Sequence, residues 1–89
     1  MLSGNLLRDA SLSYSNYFFE TKGKQYLYKS VDYLKKSLTF NADNPLVYHD
    51  LVVDYYYFSQ IDSAKKYMTI VDKYNPKLIP QELRDIINR

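Results

Sequence analysis

Apolar residues recur along this chain at spacings of three and four, the periodicity of a helix with one buried face. Leu7, Ala10, Tyr14, Tyr17, Phe18 and Thr21 trace a first stripe, and Gly23 stands where such a helix should stop. Leu27, Val31, Leu34 and Leu38 form a second stripe, followed by the polar loop Asn41-Ala42-Asp43-Asn44. Asn44-Pro45 is a helix start, with Asn as cap and Pro at the first helical position, where its missing N–H costs nothing. Tyr48, Leu51, Val52 and Tyr55 make the third stripe. Ser59-Gln60-Ile61-Asp62 resembles a capping box one methylene short of the preferred Glu, and Ile61, Ala64, Met68 and Val71 follow it. Asn75-Pro76 ends that helix, and a last short one begins at Pro80 and carries Leu83, Ile86 and Ile87. The run Tyr55-Tyr56-Tyr57-Phe58 would pass alone for a strand, but the apolar spacing on both sides is helical. The pattern predicts an all-α chain of five helices joined by short loops.

Composition narrows this picture without redirecting it. The chain has 89 residues, enough for one small domain, with 46% hydrophobic and 25% charged residues, as expected of a folded protein. Two glycines and three prolines are too few turn-formers for a sandwich or barrel. The absence of cysteine excludes a disulfide framework and thiolate chemistry. Lysines and arginines are dispersed and the net charge is only +2, so the footprint of a nucleic-acid binder is missing. No apolar run approaches a membrane span. The opening Met1-Leu2-Ser3-Gly4-Asn5-Leu6-Leu7-Arg8-Asp9 lacks the basic and apolar regions of a signal peptide, which favours the cytoplasm without fixing the compartment. The unusual feature is aromatic: eleven tyrosines against four phenylalanines and no tryptophan.

A displacement of 34 residues aligns the first two helices with the next two. Leu12, Tyr14, Tyr33 and Asn41 fall on Leu46, Tyr48, Tyr67 and Asn75, and the match of size and polarity continues through Leu27 with Ile61 and Ser30 with Ala64. A helix–turn–helix unit of this length resembles the tetratricopeptide repeat. In the second unit Tyr48, Leu51, Tyr55, Ala64, Tyr67-Met68, Val71, Tyr74 and Pro76 occupy the family's motif positions. The first unit is looser: Thr21 replaces an aromatic and Ala42 the terminal Pro. Phe18 and Val52 also stand where the family usually has a small residue, which should widen each hairpin or shift its crossing. The resemblance implies a solenoid fragment: repeat one at about 11–44, repeat two at about 45–78 and a capping helix at about 80–89, all within one domain over 1–89. A plain bundle of four or five helices with similar halves is the alternative.

Motifs for chemistry are missing. The single histidine, His49, neighbours Asp50, but adjacent helical residues diverge by ~100°, so the two are not expected to converge on a metal or proton. Asp50 and Asp54 share a face at i, i+4 and read as solvated acids. No phosphate loop, zinc motif or nucleophile elbow occurs. The chain therefore reads as non-catalytic, with no cofactor and no metal.

The resemblance also implies a place for a partner, because the first helices of successive repeats line a concave groove. Projected onto this chain, that groove carries Leu12, Ser15, Asn16, Phe19 and Lys22 from the first helix. Leu46, His49, Asp50, Val53, Tyr56 and Tyr57 come from the third helix, with Leu83 and Arg84 at its end. The expected function is capture of another protein or peptide segment by Phe19, Val53, Tyr56 and Tyr57, oriented by Asn16, His49 and Asp50. A family subset clamps terminal carboxylates with Lys and Asn, but Ser15, Phe19 and Asp50 occupy those places here. Packing of Phe19, Tyr56 and Tyr57 within the fold competes with this reading. So does a structural role in which the groove of a self-associating module, or of a fragment of a longer array, is filled by its own neighbour.

Overall fold

The computed structural model describes residues 4–89, with side chains from Leu6 onward. Met1, Leu2 and Ser3, part of the segment read as lacking a leader, lie outside the described residues. Five α-helices follow in order: α1 Gly4–Thr21, α2 Lys24–Phe40, α3 Pro45–Tyr57, α4 Ile61–Tyr74 and α5 Gln81–Ile87, with a 3₁₀ turn over Pro76–Leu78 before the last. The fold is all-α, as the periodicity predicts. α1 pairs with α2 and α3 with α4 as helix hairpins, α2 packs against α3, and α5 folds back on α4.

The turns have identifiable chemistry. Asn44 caps α3 by accepting the Leu46 N–H at 3.1 Å, with Pro45 at the first position, as expected. At the end of α1 the left-handed residue is Lys22, at φ 61°, and not Gly23, which is extended and precedes α2. The Lys22 N–H reaches back to the Phe18 carbonyl at 2.6 Å, and the Thr21 hydroxyl oxygen accepts from Gly23 at 3.2 Å. The capping box expected at Ser59–Asp62 does not form. Ser59 is left-handed at φ 62°, its N–H bonds the Tyr56 carbonyl, and the Gln60 N–H bonds that of Tyr55, each at 3.0 Å. That pair of bonds is a Schellman motif, so Ser59 closes α3 and does not open α4. Gln60 precedes α4 without a side-chain cap.

The core runs through both hairpins. Leu27, Leu34, Val47, Leu51, Val52, Ala64 and Val71 are inaccessible to solvent, and Phe18, Val31, Tyr55, Phe58, Met68, Ile79 and Ile87 complete the cluster. The stripes predicted for α2 and α4 are the buried ones, except that Leu38 and Ile61 sit at the margin. Val47 joins the α3 stripe unannounced. On α1 the buried line is Leu7, Ser11, Ser15 and Phe18, whereas Tyr17 is half exposed and Thr21 exposed. Small hydroxyls replace large rings there because α1 lies close against α2, where Ser30 is also fully buried.

Several features recur at the 34-residue displacement. Tyr14 stacks on Tyr33 with centroids 5.6 Å apart, and Tyr48 stacks on Tyr67 at 6.2 Å. The Asn41 and Asn75 N–H groups close their helices onto the Ser37 and Val71 carbonyls. Their side-chain oxygens then accept the N–H two residues on, from Asp43 and Lys77, at 3.1 and 3.0 Å. The hairpin turn does not keep this spacing: displaced by 34, the start of α2 falls on Phe58, but α4 starts at Ile61.

Candidate binding pocket

Leu12, Ser15, Asn16 and Phe19 lie at i, i+3, i+4 and i+7, so α1 presents them on one face. α3 turns His49, Asp50, Val53 and Asp54 toward them. Between the two helices is a pocket of about 190 Å³ lined by these eight residues. Its walls are mostly apolar, from Leu12, Phe19 and Val53. Asp50, Asp54 and Ser15 are buried, while Asn16 and Phe19 are exposed and His49 is half-buried. Of the seven residues expected to bind a partner, Asn16, Phe19, His49, Asp50 and Val53 are thereby brought together.

Tyr57 and Tyr56 stand outside the lining. The Tyr57 ring meets Phe19 edge-on at 5.0 Å and Phe18 at 5.7 Å, and Tyr56 contacts Tyr57 at 5.2 Å. They form an aromatic cluster between α1 and the end of α3. Lys22, Leu46, Leu83 and Arg84 do not line the pocket either. The Lys22 ammonium lies 5.8 Å from the Phe18 ring centroid. Leu83 packs against the core. Arg84 makes a two-pronged pair with Asp72 of α4, both bonds at 2.8 Å, and donates to the Pro76 carbonyl at 3.1 Å.

The carboxylates depart most from the sequence reading. Asp50 and Asp54 are buried, at 8% and 3% exposure, and are not solvated acids. Asp50 accepts from Arg8 of α1, Nε to Oδ2 at 2.7 Å and Nη2 to Oδ1 at 3.4 Å. His49 Nδ1 also meets Asp50 Oδ1, at 2.9 Å. Their backbone directions diverge, yet two short neighbouring side chains lean together, so the expectation that they would not converge fails. Asp54 faces hydroxyls instead: Ser15 bonds its Oδ1 at 3.3 Å and Ser30 of α2 bonds its Oδ2. Ser30 is in turn 2.8 Å from Ser11 and 2.9 Å from Ser15. Burial pushes the Asp54 carboxyl up to about 6; the Ser30 and Ser15 bonds oppose that shift and the charge of Asp50 adds to it.

Asp54 was missed as a site residue because i, i+4 acids on a helix usually face water. A signal was present in Ser11 and Ser15, which interrupt an otherwise apolar line between Leu7 and Phe18. Among the described residues, no group of three His, Cys, Asp or Glu is placed to hold a metal ion, and no helix is long and apolar enough to cross a membrane.

Fold and site together define an all-helical protein of two consecutive helix hairpins with an apolar pocket between their first helices. Comparison with protein-family models, with curated proteins and with solved structures returned no match.

Proposed function

We propose that the chain is a tetratricopeptide-like, non-catalytic module that binds a segment of another protein in the α1–α3 pocket. The observation that carries this reading is the convergence of Leu12, Asn16, Phe19, His49 and Val53 on one concavity between the first helices of the two hairpins. The recurring tyrosine stacks and asparagine turns support the repeat frame behind it. Phe19 and Val53 supply apolar area, and Asn16 and His49 offer polar contacts at the rim.

Peptides selected from a random displayed library on the full chain test the idea. Bound peptides should shift the NMR signals of Leu12, Asn16, Phe19 and Val53, and Phe19→Ala should weaken them at least ten-fold while the melting transition is retained. Peptides that map elsewhere, or a Phe19→Ala chain that unfolds yet still binds, would refute it. The exposed Leu12, Phe19 and Tyr57 around the pocket also suit self-association. Sizing with light scattering separates the two, since a second copy in the pocket gives a dimer.

A further inference from the structure

Ser11 and Ser15 of α1, Ser30 of α2 and Asp54 of α3 make one buried polar cluster where three helices meet. It contains four oxygen–oxygen contacts: Ser11 with Ser30, Ser15 with Ser30, Ser15 with Asp54 and Ser30 with Asp54. Each hydrogen bond needs its own hydrogen, and the three serines carry one hydroxyl hydrogen apiece. An ionised carboxylate only accepts, so one of the four contacts is then left as two facing oxygens. A protonated Asp54 supplies the missing hydrogen. Ser11 and Ser15 then donate to Ser30, Ser30 donates to Oδ2, and the carboxyl O–H donates to Ser15. Ser30 in this arrangement accepts two bonds and donates one, which is the full capacity of a hydroxyl.

The surrounding charges favour the same state. The charged group that α1 brings to this region is Arg8, and it is engaged on Asp50. On α3 itself, His49 also turns to Asp50, and Asp50 repels a charge on Asp54. From α2, the Lys35 ammonium lies 5.8 Å from the Tyr55 ring centroid. α4 meets α3 through Tyr67, stacked on Tyr55 at 5.5 Å and on Tyr48. No cation pairs with Asp54 among the described residues.

We propose that Ser11, Ser15, Ser30 and Asp54 form a proton-operated latch: the protonated carboxyl closes the ring of hydroxyls and holds α1 and α2 against α3, and ionisation releases them. The latch does not depend on what the pocket binds. Because the folded carboxyl titrates higher than an unfolded one, its grip is complete at low pH and is lost as pH rises through about 6. From the ordinary value of 3.8 to about 6, opening of the joint should become about ten-fold easier between pH 5 and 7.5.

Two measurements on the full chain test this. The carboxyl carbon of Asp54, followed by NMR from pH 4 to 8, should titrate near 6. Amide exchange in α1, corrected for the intrinsic rate, should lose about ten-fold of its protection from pH 5 to 7.5 while α4 keeps its own. Asp54→Asn, which cannot ionise, should hold α1 protection level across that range. A titration near 4, or unchanged α1 protection in the wild-type chain, overturns the proposal, as does an equal pH dependence in Asp54→Asn. Ser30→Ala covers the case in which that variant does not fold: it should lower α1 protection already at pH 5 and flatten the further fall, and a Ser30→Ala profile like the wild type refutes the latch.

Discussion

The Arg8–Asp50 pair joins residues 42 apart in sequence and is the main ionic tie between α1 and α3. Arg8→Met keeps the apolar stem and removes the charge, leaving Asp50 at 8% exposure with only His49 as partner. Two unit charges ~4 Å apart at an effective dielectric of ~20 attract by about 4 kcal/mol, and desolvation of Asp50 offsets part of this. Breaking a buried pair from one side costs about 3–5 kcal/mol. Here the Arg8 side chain is 25% exposed and His49 remains, so the loss should be about 2 kcal/mol. Asp50→Asn should lose a similar amount by orphaning the guanidinium. The double variant should lose about as much as either single one, giving a coupling of about 1.5–2 kcal/mol. Urea unfolding followed by far-UV circular dichroism measures all four chains, and unchanged slopes would show that the denatured state is not what moved. Losses that add to within about 0.5 kcal/mol would refute the argument, because uncoupled residues cannot be holding α1 to α3 through one another.

Other substitutions test the turns, the repeat and the last helix. Ser59→Gly and Lys22→Gly should each raise stability by about 1 kcal/mol, since both residues sit in the left-handed region at φ 62° and 61°; a lower urea midpoint would contradict this. Double-mutant cycles with leucine at Tyr14 and Tyr33, and at Tyr48 and Tyr67, should return similar couplings of about 0.5–1.5 kcal/mol. A coupling in one pair alone would break their equivalence. The Arg84 hydrogen bonds hold the Asp72 carboxyl below its ordinary range, so this contribution to α5 docking is present at neutral pH and is lost as pH falls through the folded value. Protection of the α5 amides, corrected for the intrinsic exchange rate, should fall on acidification in the wild type, and in Arg84→Ala it should already be low at neutral pH.

What was legible in the sequence follows from what each pattern reports. Leu27, Val31 and Leu34, or Ala64, Met68 and Val71, mark a buried face because only one side of α2 and α4 meets the core. The pattern on α3 is weaker because that helix touches α1, α2 and α4. Val47, Leu51, Val52, Asp50, Asp54 and Tyr55 are all buried there, and a single stripe cannot describe a helix covered on several sides. On α1 the large rings drew the predicted stripe toward Tyr14 and Tyr17, although the close approach to α2 selects serine. The pocket was legible as two faces, Leu12, Asn16 and Phe19 on α1 and His49 and Val53 on α3, which the tetratricopeptide resemblance set beside each other. The burial of its acids was not, because it depends on Arg8 and Ser30, which lie on other helices. Left-handed residues at Lys22 and Ser59 were missed for a related reason: the chain spends its glycine one position away, at Gly23, and has none at the α3–α4 turn.

These details place two kinds of joint on the two sides of α3. Toward α4 it is apolar and aromatic, through Leu51, Val52, Ala64, Met68 and the Tyr48, Tyr55 and Tyr67 rings. Such contact is non-directional and tolerates small displacements without losing much energy. Toward α1 the joint is largely polar: Arg8 on Asp50 and Ser15 on Asp54, with Ser30 of α2 on the other Asp54 oxygen and aromatic contact at the Phe18–Tyr57 end. Hydrogen bonds and ion pairs between buried groups are satisfied in one geometry and expensive outside it. The α1–α3 side is therefore held in a fixed register with few intermediate positions. The pocket lies in that register, between the ion pair and the aromatic cluster. A change in the charge of Asp54 or in the Arg8 tie therefore acts on Asp54 and Asp50, two side chains that line the pocket itself.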